Sequence, residues 1–171
     1  MNNEQYLLSI ENTILSMLIY SENEREFIFS ALKEDSFFYP LNRKIFKTLL
    51  YLFEKGLPVT EELILRESPE KSKEAIDRAL TELIATNPVS NIVAYIEILK
   101  EARYKKDIEF FLKDSLRALQ EGGEEFATVM GKIYEGAEKL KKQNSTELFE
   151  ICSIENIEAK DSEFYLKGFL P

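Results

Sequence analysis

The chain has 171 residues, 44% apolar and 31% charged, with a formal net charge of −9. That length encloses one good core with a small annex, and the acidic balance disfavours direct reading of a nucleic acid. With no histidine and one cysteine, Cys152, the chain has no His triad, His general base, His metal ligand or intramolecular disulfide.

Asn2 and Asn3 can cap a first helix in which Leu7, Ile10, Ile14 and Leu18 recur at helical spacing, with Leu8, Leu15 and Ile19 alongside. Ser21 followed by Glu24 has the form of a capping box, and the second helix runs to about Leu32 with Phe27, Ile28 and Leu32 as its buried face. The aromatic run Ser36-Phe37-Phe38-Tyr39-Pro40 reads as a turn anchored to a core. Pro40 suits the first position of a third helix, Leu41 to Lys55, whose apolar face is Ile45, Phe46, Leu49, Leu50 and Phe53. Gly56 supplies a left-handed stop, and Thr60 caps a short helix through Leu63, Ile64 and Leu65. Ser68-Pro69-Glu70 starts another helix, with Ile76, Ala79, Leu80, Leu83 and Ile84 at spacings of three and four.

From Asn87-Pro88, with Ser90 or Asn91 as N-cap, no glycine or proline interrupts the chain until Gly122-Gly123. A helix from Asn91 to Glu121 would be roughly 45 Å long. Its first half carries Ile92, Tyr95, Ile96 and Leu99, and its second half Ile108, Phe111, Leu112, Leu116 and Leu119. Between them lies a charged band, Arg103, Lys105, Lys106 and Asp107. As a solvated helix face this band needs no nucleic acid to explain it.

After Gly122-Gly123, Phe126, Met130, Ile133, Ala137 and Leu140 repeat as a short heptad seam, matched by Ile108, Leu112, Ser115 and Leu119 before the glycines. Two such helices read as an antiparallel hairpin, and two helices alone cannot enclose both seams. Either the head covers the surplus apolar surface or a second copy does, by two-fold symmetry. The wet middle of the long helix favours the second copy. The candidate interface residues are Ile108, Phe111, Leu112, Leu116, Leu119, Phe126, Met130, Ile133, Tyr134 and Leu140.

Asn144-Ser145-Thr146 is a linker-like break, after which Leu148, Phe149, Ile151, Ile154 and Ile157 can line a short amphipathic helix. The chain closes on the apolar stretch Phe164 to Pro171, which is expected to dock on a partner or to continue in a longer protein. No window alternates as a strand does, so the fold class is all-α: a multi-helix globular head (1–102), a protruding antiparallel helical hairpin (103–142) and a linker tail (143–171). The six glycines form no phosphate-cradling motif, and Glu61-Glu62 and Glu124-Glu125 read as helix N-terminal charges rather than metal ligands. No catalytic, cofactor-binding or metal site is expected. No secretory leader precedes Leu7 and no run is long enough to span a bilayer, so the expected location is the cytoplasm.

Two stretches carry a family resemblance: SFFYPLNRKIFKTLLYLFEKGLPVTEELI (Ser36 to Ile64) and ALTELIATNPVSNIVAYIEILKEARYKKDI (Ala79 to Ile108). The first is similar to a D-F-Y-x-P-x-H-R-x-I-F run followed by a Gly-x-P-V/I-D/T turn. The second is similar to a leucine-rich helix, a proline-containing turn and an N-x-x-x-Y opening of a long helix. Over residues 7 to about 142 the pattern resembles the N-terminal domain of bacterial replicative DNA helicases of the DnaB-like family, with Asn42 where that family commonly has histidine.

The resemblance implies a six-helix head and a hairpin that dimerises. It further implies three dimers in a collar on a hexameric ring, with primase and a helicase loader as partners. ATP and Mg would belong to a RecA-like ATPase segment that this chain lacks, and DNA would be reached only through the complete ring. The tail FYLKGFLP resembles the approach to that segment's first strand, though it departs from the family's usual linker helix. Two other readings stay open, the C-terminal helicase-binding domain of primase and an unrelated helical adaptor. A primase domain of that kind would end its protein at the hairpin, whereas this chain continues into the tail.

Overall fold

In the computed structural model, residues 3–84, 86, 89, 91–121 and 125–145 are described, and among them the regular structure is entirely helical. The Asn87-Pro88 turn, the Gly122-Gly123 turn and everything after Ser145, including the amphipathic segment and the apolar tail expected there, lie outside the described residues. The chain divides into two compact units, Met1–Phe110 and Phe111–Pro171.

The first unit is built around α1 (Asn3–Tyr20). Residues Ile10, Ile14, Leu15, Met17, Leu18 and Ile19 are all buried, so this helix is apolar nearly all round, as befits a helix enclosed by neighbours. α2 (Glu22–Ala31), α3 (Pro40–Glu54) and α5 (Lys73–Ile84) pack around it, and α4 (Glu61–Glu67) leans on α3 and α5. Ile28, Leu32, Phe37, Ile45, Phe46, Leu49, Leu52, Ile64, Ile76, Leu80 and Leu83 complete the interior with Ile92, Ile96 and Leu99 of α6 (Ile92–Glu121).

Local chemistry accounts for most of the boundaries. Pro40 occupies the first turn of α3, where a missing N–H costs nothing. The helix ends at Gly56, whose φ is +63°, with the Leu57 N–H donating to the Leu52 carbonyl at 2.9 Å and the Gly56 N–H to that of Phe53 at 3.0 Å. Thr60 Oγ1 accepts from the Leu63 N–H at 3.3 Å, and Asn91 Oδ1 accepts from the Ala94 N–H at 3.3 Å. The α1 C-terminus is closed from outside: Arg25 donates to the carbonyls of Leu18 and Ile19, each at 2.8 Å.

Some expectations of spacing fail. Ser21 precedes α2 but makes no side-chain cap; its hydroxyl points to Met17 Sδ at 3.5 Å instead. Phe27 is exposed, and the aromatic that α2 turns inward is Phe29, whose ring lies 5.5 Å from Phe46 and 4.9 Å from Phe53. Phe53 and Ile84 are also exposed, whereas Leu52 is fully buried. A helix on the surface of the unit buries only part of its circumference, so crossing geometry selects among adjacent apolar positions.

One polar knot sits inside this unit. Glu11 shares its helix face with Leu7, Ile14 and Leu18 and is fully buried. The Phe38 N–H donates to one of its carboxylate oxygens and Asn42 Nδ2 to the other, the latter at 2.8 Å. Burial pushes the Glu11 carboxyl above its ordinary value of 4.5, opposed by the donors on Phe38, Asn42 and Tyr39 and by the Arg43 charge. Arg43 also donates to the Phe37 carbonyl at 2.6 Å, and the Tyr39 hydroxyl to the Glu4 carbonyl at 2.7 Å. The aromatic turn is therefore anchored twice, by the Phe37 ring against Phe46 at 4.9 Å and by this knot.

Candidate docking surface on the hairpin

α6 is one helix of 30 residues, about 45 Å long. Its charged band is laced by i,i+4 ion pairs, Arg103 with Asp107 at 3.1 Å and Glu101 with Lys105 at 2.6 Å. These pairs are solvated and add only tenths of a kcal/mol each, roughly enough to keep the helix continuous where it lacks apolar support.

The second unit holds the end of α6 from Phe111 onward and α7 (Phe126–Ser145). The Phe111 ring lies against Gly136, close enough that a Cβ there would overlap it. Phe111 and Gly136 stand at similar sequence distances on either side of Gly122-Gly123, the register of an antiparallel hairpin. Val129 is buried in this unit, and Phe111, Ser115, Ala118, Ile133, Gly136 and Leu140 are half-buried. The missing side chain at Gly136 is what leaves room for the Phe111 ring.

The helical seam drawn from spacing alone is thus rotated from the one observed. Leu112 and Leu119 belong to a second stripe with Leu116, exposed by 59%, 46% and 56%. On α7, Phe126 (70% exposed) and Tyr134 (69%) flank half-buried Met130. In each helix this second stripe lies roughly a quarter turn from the inner one, and in the same rotational sense. Because the helices run antiparallel, both stripes come to the same side of the hairpin.

The ten candidate residues therefore divide. Phe111, Met130, Ile133 and Leu140 are half-buried within the unit, and Ile108, on the preceding part of α6, is half-buried as well. Leu112, Leu116, Leu119, Phe126 and Tyr134 form an open apolar face, a kind of surface that soluble proteins rarely leave uncovered. Spacing missed Val129 and Gly136. A glycine in the interior of a helix, with no turn to make, is a signal that Gly131 and Gly136 give alike, and only the structure separates them.

Among the described residues no group of three His, Cys, Asp or Glu side chains is placed to hold a metal, and no helix is long and apolar enough to cross a membrane. What the hairpin offers chemically is an apolar surface.

Comparison with known proteins gives consistent matches. The family model for the DnaB-like helicase N-terminal domain matches residues 3–101. A replicative DNA helicase DnaB of Helicobacter pylori is 30% identical over 130 residues, which is 75% of this chain and 26% of the relative. DnaB from a second strain of that species is 33% identical over 113 residues, 66% of this chain and 23% of the relative. The chain thus spans about a quarter of the length of the curated relatives it matches. Among solved structures, the N-terminal domain of the H. pylori DnaB helicase, described with its interactions with primase, is 30% identical with a TM-score of 0.61, covering 71% of this chain and 99% of that one. The N-terminal domain of DnaB helicase from Mycobacterium tuberculosis is 17% identical with a TM-score of 0.70, covering 77% of this chain and 96% of that one, and shares the fold.

Proposed function

The chain belongs to the DnaB-like helicase N-terminal domain family, and on that premise we propose that it is the non-catalytic assembly and docking module of a replicative DNA helicase. The observation that carries this reading is the open apolar face of Leu112, Leu116, Leu119, Phe126 and Tyr134. A second copy related by a two-fold axis covers that face with the same residues, burying the patch on both chains at once. In this reading residues 1–102 are the head, 103–142 the pairing hairpin and 143–171 a linker toward an ATPase segment. Three dimers form the collar of a hexamer, and the acidic heads face outward toward primase and a helicase loader. The H. pylori domain described with its interactions with primase supports that choice of partner. ATP, Mg and duplex unwinding belong to the complete ring; no residue of this chain is assigned to them.

Sedimentation velocity at micromolar concentration tests the pairing. The parent chain should sediment as a dimer or larger species. Leu116→Asp, a change at an exposed position, should give monomers of unchanged helicity, because a desolvated carboxylate in a paired seam costs several kcal/mol, roughly. Ile133→Asp should weaken pairing too, with some loss of hairpin packing. A parent chain that stays monomeric throughout, alone and within a longer protein, would sink the proposal.

A further inference from the structure

The buried knot around Glu11 plays no part in hairpin pairing, and its hydrogen bonds all run toward the carboxylate. The Phe38 N–H donates to Glu11 Oε1, and Asn42 Nδ2 donates to Glu11 Oε2 at 2.8 Å. The same Asn42 nitrogen also donates to Asn12 Oδ1 at 3.2 Å, so each of its two hydrogens has an acceptor. Glu11 and Asn42 are buried, whereas Asn12, the next residue along α1, is half-buried. Carboxylate, amide and amide are thus joined in a line from the interior toward the surface.

An ionised carboxylate is satisfied by that pattern. A neutral one is not, because one of its oxygens becomes an O–H donor and needs an acceptor. Oε1 is a poor place for the proton, since it faces a backbone N–H that cannot become an acceptor. Oε2 faces a side-chain amide, and half a rotation about the Asn42 Cβ–Cγ bond puts oxygen where nitrogen was. Burial favours the neutral form, while the donors and the Arg43 charge oppose it. From the aromatic turn and α3 the titratable groups that face the knot are Tyr39 and Arg43, and on α1 Glu4 lies beyond the Tyr39 hydroxyl. α2 and α5, also packed on α1, place no charge that acts on Glu11.

We propose that Glu11, Asn42 and Asn12 form a proton-operated relay in which protonation of Glu11 Oε2 inverts both amides. The Asn42 Oδ1 then accepts the carboxyl O–H. Inversion of Asn42 alone would set its oxygen against Asn12 Oδ1, so the Asn12 amide turns as well and donates through Nδ2 to that same Asn42 oxygen. The proton comes from solvent, and the line keeps both of its hydrogen bonds with their direction reversed. A proton taken up in the interior is thereby displayed at half-buried Asn12, whose oxygen turns away from the knot instead of into it.

The test follows the full chain, labelled with nitrogen-15 and carbon-13, by NMR from mildly alkaline pH down to the onset of acid unfolding. The side-chain amide resonances of Asn42 and Asn12 should move together with the Glu11 carboxyl carbon, on one shared midpoint. Both Asn42 amide protons should shift upfield as pH falls, since each loses its acceptor. Glu11→Gln imitates the neutral acid, its Nε2 donating toward Asn42, so both amides should hold the low-pH positions of the parent at every pH. Should that variant fail to fold, the titration of the parent decides. Amide resonances that stay fixed while the Glu11 carboxyl titrates would overturn the proposal, as would movement of Asn42 without Asn12. A Glu11 carboxyl that does not titrate in the folded chain, or Glu11→Gln amides that match the high-pH parent, would overturn it as well.

Discussion

Gly131 and Gly136 lie in the same helix, α7, and predict opposite responses to one methyl group. A Cβ at Gly131 meets nothing within 4 Å, so Gly131→Ala should gain the helix propensity that glycine forgoes, about 0.5–1 kcal/mol. A Cβ at Gly136 overlaps the Phe111 ring. That ring must rotate off its preferred rotamer or α7 must shift, either of which costs about 1–3 kcal/mol and cancels or exceeds the propensity gain. The two variants should therefore differ by about 1–3 kcal/mol, or several degrees in Tm at roughly 2–4 °C per kcal/mol for a chain of this size. The chain has no tryptophan, so far-UV circular dichroism during thermal unfolding is the natural probe. Phe111→Ala should remove the penalty, leaving Gly136→Ala as favourable in that background as Gly131→Ala is in the parent. Equal stabilisation by the two alanines in the parent chain would show that Phe111 does not rest on Gly136, and the hairpin register would have to be redrawn.

Other perturbations test the head. Phe46 is fully buried between Phe29 and Phe37, so Phe46→Ala should cost about 3–5 kcal/mol in urea unfolding; a loss below 1 kcal/mol, roughly, would contradict the aromatic core. Gly56→Ala places a Cβ at φ +63° and should cost about 1–2 kcal/mol by the same assay, despite having nothing to collide with; no loss would mean that the turn does not require a left-handed residue. The Glu11 carboxyl is raised above 4.5 in the folded state by burial, so its contribution to stability is fully present below that value and is lost as pH rises through the raised one. Glu11→Gln lacks this dependence, so its stability relative to the parent should improve with pH across that window. Parallel stability curves would refute the assignment.

What the sequence determined by itself is mostly what neighbours along the chain can enforce. Pro40, Gly56, Thr60 and Asn91 mark helix ends because a missing N–H, a left-handed φ or a side-chain acceptor acts within one turn of backbone. The head's apolar faces and the long α6 with its charged middle follow from spacing for the same reason. The carboxylate of Glu11, interrupting the face of Leu7, Ile14 and Leu18, was visible but not interpretable, since its donors on Phe38 and Asn42 come from a distant stretch of chain. Between α6 and α7 periodicity is ambiguous in principle. The stripe Phe111, Ser115, Ala118 and the stripe Leu112, Leu116, Leu119 both repeat at three and four, a quarter turn apart. Hydrophobicity alone selects the leucines for the inside. Only the tertiary structure decided otherwise, because packing depends on shape: Gly136 leaves room for the Phe111 ring, and the leucines stay on the open side.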